Sequence, residues 1–215
     1  ALKHSPRAGQ LSISSGRSPR MHEGKMNRRP RPRYSAVAQF LHWATAISVL
    51  IAFVYGPGGS ESRVYSAAKD FDRHLHETLG LCVLALTTVR ILWRMIDVKP
   101  DPVPGSAWMT RAATVTHGAL YVLLFALPFT AIAGAWLEGH SLTLLGGLEI
   151  PSPLGVSHDL GATIANLHGW LGDAILWLAG LHAAAAIYHH VILKDRVLVS
   201  MLPSRLGLRQ PTRPS

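Results

Sequence analysis

Cysteine is almost missing from this chain: Cys82 is the only one in 215 residues. A single thiol closes no intrachain disulfide, builds no cysteine-based zinc site or iron–sulfur cluster, and leaves no C-x-x-C-H segment for covalent haem attachment. Charge is scarce as well. Asp, Glu, Lys and Arg make up 15% of the residues, against about 25% in an average soluble domain. Acids are the rarer sign, 12 against 21 Lys and Arg, for a formal net charge of +9. That excess sits at the front. Residues 1–34 hold nine basic side chains and one acid, Glu23, which leaves the remaining 181 residues at +1. A body without a basic patch argues against nucleic-acid binding, and a 48% hydrophobic content argues against disorder.

What the chain does have is long stretches without charge. Tyr34–Ser60, Ala112–Leu137 and Ala174–Leu193 contain no Asp, Glu, Lys or Arg. Runs of about 18 or more such residues read as membrane spans. A fourth, from about His76 to Ile96, works if Arg90 and Arg94 extend from a helix end toward the interface. The predicted fold is all-α, an integral membrane four-helix bundle with spans near 36–56, 76–96, 112–136 and 163–193. Four spans place both termini and the 97–111 segment on one side. That side carries 18 Lys and Arg, and the other carries Arg63, Lys69 and Arg73. The positive-inside bias therefore puts both termini in the cytoplasm.

Three regions follow: a basic, disordered arm over 1–33, the membrane domain over 34–203, and a short basic tail over 204–215. The arm has no apolar h-region of its own, so it reads as a topology signal rather than a cleavable signal peptide. Met21 and Met26 lie inside it, and residues 1–20 read as upstream sequence. Residues 97–111 form a Pro-rich linker. Residues 137–162, rich in Gly and Pro, have the length to hold a short interfacial helix or to cap the outer face. Pro128 is expected to kink the third span.

The 12 histidines are the strongest functional signal, because ionisable side chains inside a span are costly. His168 and His182 lie 14 residues apart on the fourth span, about 21 Å along a helix and only about 40° short of whole turns. They face the same way at two depths. His42 on the first span matches the depth of His182, and His76 on the second matches that of His168. Two bis-imidazole pairs in a bundle core suit two six-coordinate haems; zinc would need further ligands converging at one point. Four residues beyond each candidate ligand stand Ala46, Gly80, Gly172 and Ala186, small side chains that leave room for a porphyrin one turn away.

These positions carry a family resemblance. Tyr34-Ser35 and Phe40-Leu41-His42-Trp43 in the first span match the bacterial cytochrome b561 family, as do Leu75-His76 through Gly80 with Arg90 and Arg94. His117 with Tyr121 through Pro128 matches in the third span. Gly180-Leu181-His182 followed by Ala183–Ala186, His189-His190, Lys194-Asp195 and Met201-Leu202-Pro203 complete the match. The chain resembles that family over residues 34–203. The arm has no counterpart in it, and 137–162 matches poorly. The resemblance implies a multi-pass protein of the bacterial inner membrane with two non-covalent b haems. His42 and His182 would ligate the inner haem, and His76 and His168 the outer one. It also implies electron exchange with quinone, and in some members a donor role for superoxide outside.

Other residues have open roles. Arg90, His117 and His189 are candidates for contacts to a haem propionate or a quinone. His117 also reads as a spectator hydrogen-bonding group, and His189 with His190 as an interfacial pair. Asp173 reads as structural. Lys69, Arg73 and His74 flank His76 and as a cationic rim would attract a small anion, with Asp70 and Asp72 partly cancelling them. Expected partners are lipid, quinone and a small outer-side donor, with no nucleic acid. The reading that follows is a di-haem electron carrier, with a superoxide:quinone oxidoreductase as its specific form. The alternatives are a b-type anchor subunit that works with a partner protein of a larger dehydrogenase or hydrogenase, and a haem-free, His-lined metal or proton transporter.

Overall fold

The computed structural model describes residues 33–57, 61–98, 100 and 105–203. The arm before residue 33 and the tail from 204 lie outside the described residues. Among the described residues, four helices are long and apolar enough to cross a membrane. They are α1 (Ala36–Tyr55), α3 (Asp70–Ile96, entered through a 3₁₀ turn at Ala67–Lys69), α4 (Ala107–Leu137) and α5 (His158–Val191). Short helices α2 (Glu61–Val64) and α6 (Val197–Ser200) flank α3 and follow α5. Most large apolar side chains on these helices, Val54, Val122 and Trp177 among them, face outward, as they do where lipid is the solvent.

Three helices run past the spans read from charge. α3 starts at Asp70, α4 at Ala107, and α5 takes in His158, which the sequence places in a loop. The added turns carry Asp70, Asp72, Arg111 and Asp159. Charge marks where lipid ends, whereas a helix continues as long as its backbone bonds are made, so the two boundaries differ. The 137–162 segment forms a two-stranded antiparallel hairpin rather than a helix. Strand β1 (Leu142–Thr143) pairs with β2 (Glu149–Ile150) in the register Leu142↔Ile150 and Thr143↔Glu149. Gly146 and Gly147, at φ +91° and +80°, supply the left-handed backbone of its turn. The Thr143 N–H donates to Glu77 Oε2, and the Leu145 N–H to Thr78 Oγ1 at 2.9 Å. The hairpin is thereby fastened over the start of α3.

Packing is by pairs. α1 lies chiefly against α3, and α4 against α5; the two pairs meet mainly through α3 and α4. Where α4 meets the start of α5, a Cβ on Gly161 would stand 2.9 Å from the Glu138 nitrogen, so glycine permits the approach. Between the pairs sits a small core of Val83, Leu124 and Ile175, with Val49, Leu120, Leu123 and Leu127 against it. α4 runs unbroken through Pro128.

One end of the bundle, called proximal here, holds the start of α1 and the end of α5. Ser35 caps α1 by accepting from the Ala38 N–H at 3.3 Å and donates to Asp97 Oδ2 at 2.6 Å, tying α1 to the end of α3. The segment after α5 folds back onto α1. The Tyr34 N–H donates to the Ser200 carbonyl at 3.1 Å, Gln39 Nε2 to the same carbonyl at 3.2 Å, and Trp43 Nε1 to the Met201 carbonyl at 2.9 Å. The opposite, distal end carries the hairpin.

Candidate functional site

The seam between the two helix pairs brings the four histidines together two by two. At the distal end the rings of His76 on α3 and His168 on α5 have centroids 5.8 Å apart and planes at 88°. His76 Nδ1 lies 2.7 Å from the Ala52 carbonyl, and His168 Nδ1 lies 2.9 Å from the Leu127 carbonyl. A carbonyl only accepts, so both rings donate from Nδ1 and, when neutral, carry an unprotonated Nε2. The Ala52 carbonyl is available because α1 ends at Tyr55. The Gly56 N–H turns back to the Phe53 carbonyl at 3.3 Å and leaves Ala52 as one of the orphan acceptors of a helix end.

Both rings line an apolar cavity that also takes in Gly80, Gly172, Val83, Ile175 and, under the hairpin, Leu142. It holds about 720 Å³ of empty space, part of which opens to the surroundings. A Cβ built on Gly80 or Gly172 meets no atom within 4 Å. The glycines one turn beyond each histidine therefore face open space, not a packed neighbour.

At the proximal end His42 on α1 and His182 on α5 have centroids 6.3 Å apart and planes at 74°. His42 Nδ1 is buried without a hydrogen-bond partner among the described residues. His117 on α4 joins them, its ring 5.1 Å from that of His182. Beside this group the Arg90 guanidinium lies over the Tyr121 ring, 5.5 Å from its centre. Arg90 and Arg94, with Tyr34, Trp93, Asp97, Tyr121 and Met201, line a smaller cleft.

These residues fit a haem. An iron held between two imidazole nitrogens at roughly 2 Å each, with each nitrogen roughly 1 Å from its ring centre, sets the centroids about 6 Å apart. His42–His182 and His76–His168 meet that spacing, and His117–His182 is too close for it. Nδ1 donation to a carbonyl is the usual outer-shell bond of a metal-ligating histidine, fixing its tautomer and orientation. The space in front of Gly80 and Gly172 is the clearance a flat macrocycle needs.

The remaining candidates fall elsewhere. His189 Nδ1 contacts Asp195 Oδ2, and that carboxylate also accepts from the Val197 N–H at 3.0 Å to start α6. Asp173 is exposed on α5. The flanking cations of the distal end are ion-paired: Lys69 with Asp72 at 2.8 Å, and Arg73 with Asp70 at 2.9 Å and Glu77 at 3.3 Å. Three carboxylates thus face Lys69 and Arg73, and among the described residues these two cations form no cationic rim. Ala52, Gly56, Leu127 and Glu77 were not singled out from sequence. That Gly56 closes the first span read from the sequence was the one available signal.

A family model described as prokaryotic cytochrome b561 matches residues 33–204. The chain belongs to the prokaryotic cytochrome b561 family. It is a multi-pass membrane protein that transfers electrons through b-type haem. It is 31% identical over 171 residues to cytochrome b561 homolog 2 of Escherichia coli (strain K12), covering 79% of this chain and 91% of that relative. It is 31% identical over 178 residues to a Yersinia pestis protein named probable superoxide oxidase CybB, covering 81% of this chain and 98% of the relative. Cytochrome b562 of Cereibacter sphaeroides is 30% identical over 180 residues, covering 81% and 98%.

Proposed function

We propose that this cytochrome b561-family chain binds two b-type haems and moves electrons across a bacterial inner membrane, between a small donor outside and the quinone pool. His42 and His182 would hold the proximal haem, and His76 and His168 the distal one. The observation that carries this reading is the pair of histidine pairs, each spanning the seam at the separation an iron requires. Bound there, each haem supplies an iron that accepts or gives one electron. The chain fixes the two sites at two depths, about 21 Å apart along α5, and the Val83–Leu124–Ile175 core keeps the intervening path dry. Arg90 is placed to pair with propionates at the proximal site, since a guanidinium fork matches a carboxylate. His117 is a contact to the same haem edge or to a quinone. His189, engaged with Asp195, serves either group only through that turn.

The proximal end faces the cytoplasm on this reading, because 18 Lys and Arg lie on its side of the membrane. Superoxide as the donor is supported by the name of the Yersinia pestis relative. The ion-paired distal surface gives no electrostatic steering toward an anion, so its rate should depend little on salt.

Haem quantitation and a reduced-minus-oxidised spectrum of the purified protein test the proposal. Two haems per chain with b-type bands are expected, falling to one in His168→Ala. A colourless protein, or an unchanged haem count in that variant, overturns it. Quinone reduction under a superoxide source no faster than the uncatalysed rate would remove superoxide as the donor.

A further inference from the structure

We infer that the protein sets the distal site at a lower reduction potential than the proximal one, and that Gly56 and the Ala52 carbonyl are part of the device. The inference rests on the two-haem reading above. An electron passing from the distal to the proximal site would oxidise an iron held by His76 and His168 and reduce one held by His42 and His182, with no bond made or broken. The order of potentials makes that direction downhill.

Two independent asymmetries point the same way. The first is hydrogen bonding. Both distal imidazoles donate from Nδ1 to backbone carbonyls, at 2.7 and 2.9 Å. Such a bond draws the proton from the ring, raises the basicity of the ligating nitrogen and favours the oxidised, more positive iron. At the proximal site, His42 Nδ1 is buried with no such partner among the described residues. The second is charge. Among the described residues, Glu77 lines the distal cavity and no Lys or Arg does, although Arg73 offsets part of its charge. At the proximal end Arg90 and Arg94 line the adjoining cleft, with the Arg90 guanidinium over the ring of Tyr121, one turn from His117 on α4. A carboxylate stabilises the oxidised iron, and a guanidinium the reduced one.

Gly56 keeps the strongest of these bonds short. A Cβ there would stand 3.3 Å from the Ala52 oxygen and 3.3 Å from both Cε1 and Nδ1 of His76, so the ring or the carbonyl has to give way. The backbone at Gly56, φ −65° and ψ 113°, suits any residue. The glycine is needed for this approach and not for its conformational freedom. Gly56 is a positioning residue for the His76 ring.

Spectroelectrochemical titration with haem quantitation tests this. The wild type should show two waves. His76→Ala should keep one haem, titrating at the higher wave, and His42→Ala one haem at the lower. Gly56→Ala should keep two haems and move only the lower wave upward. A reversed order in the histidine variants, or a Gly56→Ala protein with two haems and both waves unmoved, overturns the inference while leaving the two-haem reading intact. A wild type with fewer than two haems overturns both.

Discussion

Replacing Gly172 by leucine separates the room a cofactor needs from the room the protein needs. Gly172 lies one turn beyond His168 on the same face of α5, and a Cβ there meets nothing within 4 Å. The polypeptide itself should accept the larger side chain. Leucine is a better helix former than glycine by about 1 kcal/mol, so the haem-free chain should be no less stable than wild type. A macrocycle seated on His76 and His168 would instead press on the new side chain. Overpacking of a filled site costs about 1–3 kcal/mol, which weakens retention of the distal haem roughly 5- to 150-fold. Gly169→Leu is the control. Its Cβ also enters open space, but Gly169 is absent from the cavity wall. Haem per protein after washing, together with thermal unfolding of the haem-free forms, reads the outcome. The expected result is about one haem in Gly172→Leu and two in Gly169→Leu, with no loss of stability in either. Two firmly held haems in Gly172→Leu would refute the placement of the macrocycle, and a destabilised haem-free protein would refute the claim that the space is free.

Other expectations concern the frame around the site. Gly161→Ala puts a Cβ 2.7 Å from Glu138 Cγ and 3.1 Å from the Leu137 carbonyl carbon. Because backbone is involved, the α4–α5 junction should lose about 1–3 kcal/mol, visible as a lower unfolding temperature in detergent. Gln39 is buried, and its Nε2 donates to the Tyr34 and Ser200 carbonyls at 3.1 and 3.2 Å. Gln39→Leu should cost about 1–3 kcal/mol by leaving those acceptors short of a donor; unchanged stability would mean that the fold-back of the last turn contributes nothing.

The four-helix architecture was legible because charge is excluded from lipid, and the pairing of His42, His76, His168 and His182 because helical rise converts sequence spacing into depth. Gly80 and Gly172 were legible for the same reason, one turn being a fixed four-residue step. The parts that escaped are those where two distant segments meet. Nothing local to Gly56 shows that His76, 20 residues later, presses against it. The hairpin at 142–150 has strands of two residues, too short for any alternation to show. The helix extensions at Asp70, Ala107 and His158 escaped because a charge-based reading reports where lipid stops. That Asp70 and Asp72 offset Lys69 and Arg73 was legible from their adjacency; that Glu77 also pairs with Arg73 was not.

The fold-back of the last described turn onto the first helix sets an order of events during synthesis. Tyr34, Gln39 and Trp43 bond to the carbonyls of Ser200 and Met201, which are made more than 150 residues later. The first helix is made with those partners still untranslated, and its proximal end stays unlatched until the final turn arrives. Closure of the bundle is therefore a late step, and the interval before it is the time when the groove between the helix pairs is most open to an incoming macrocycle.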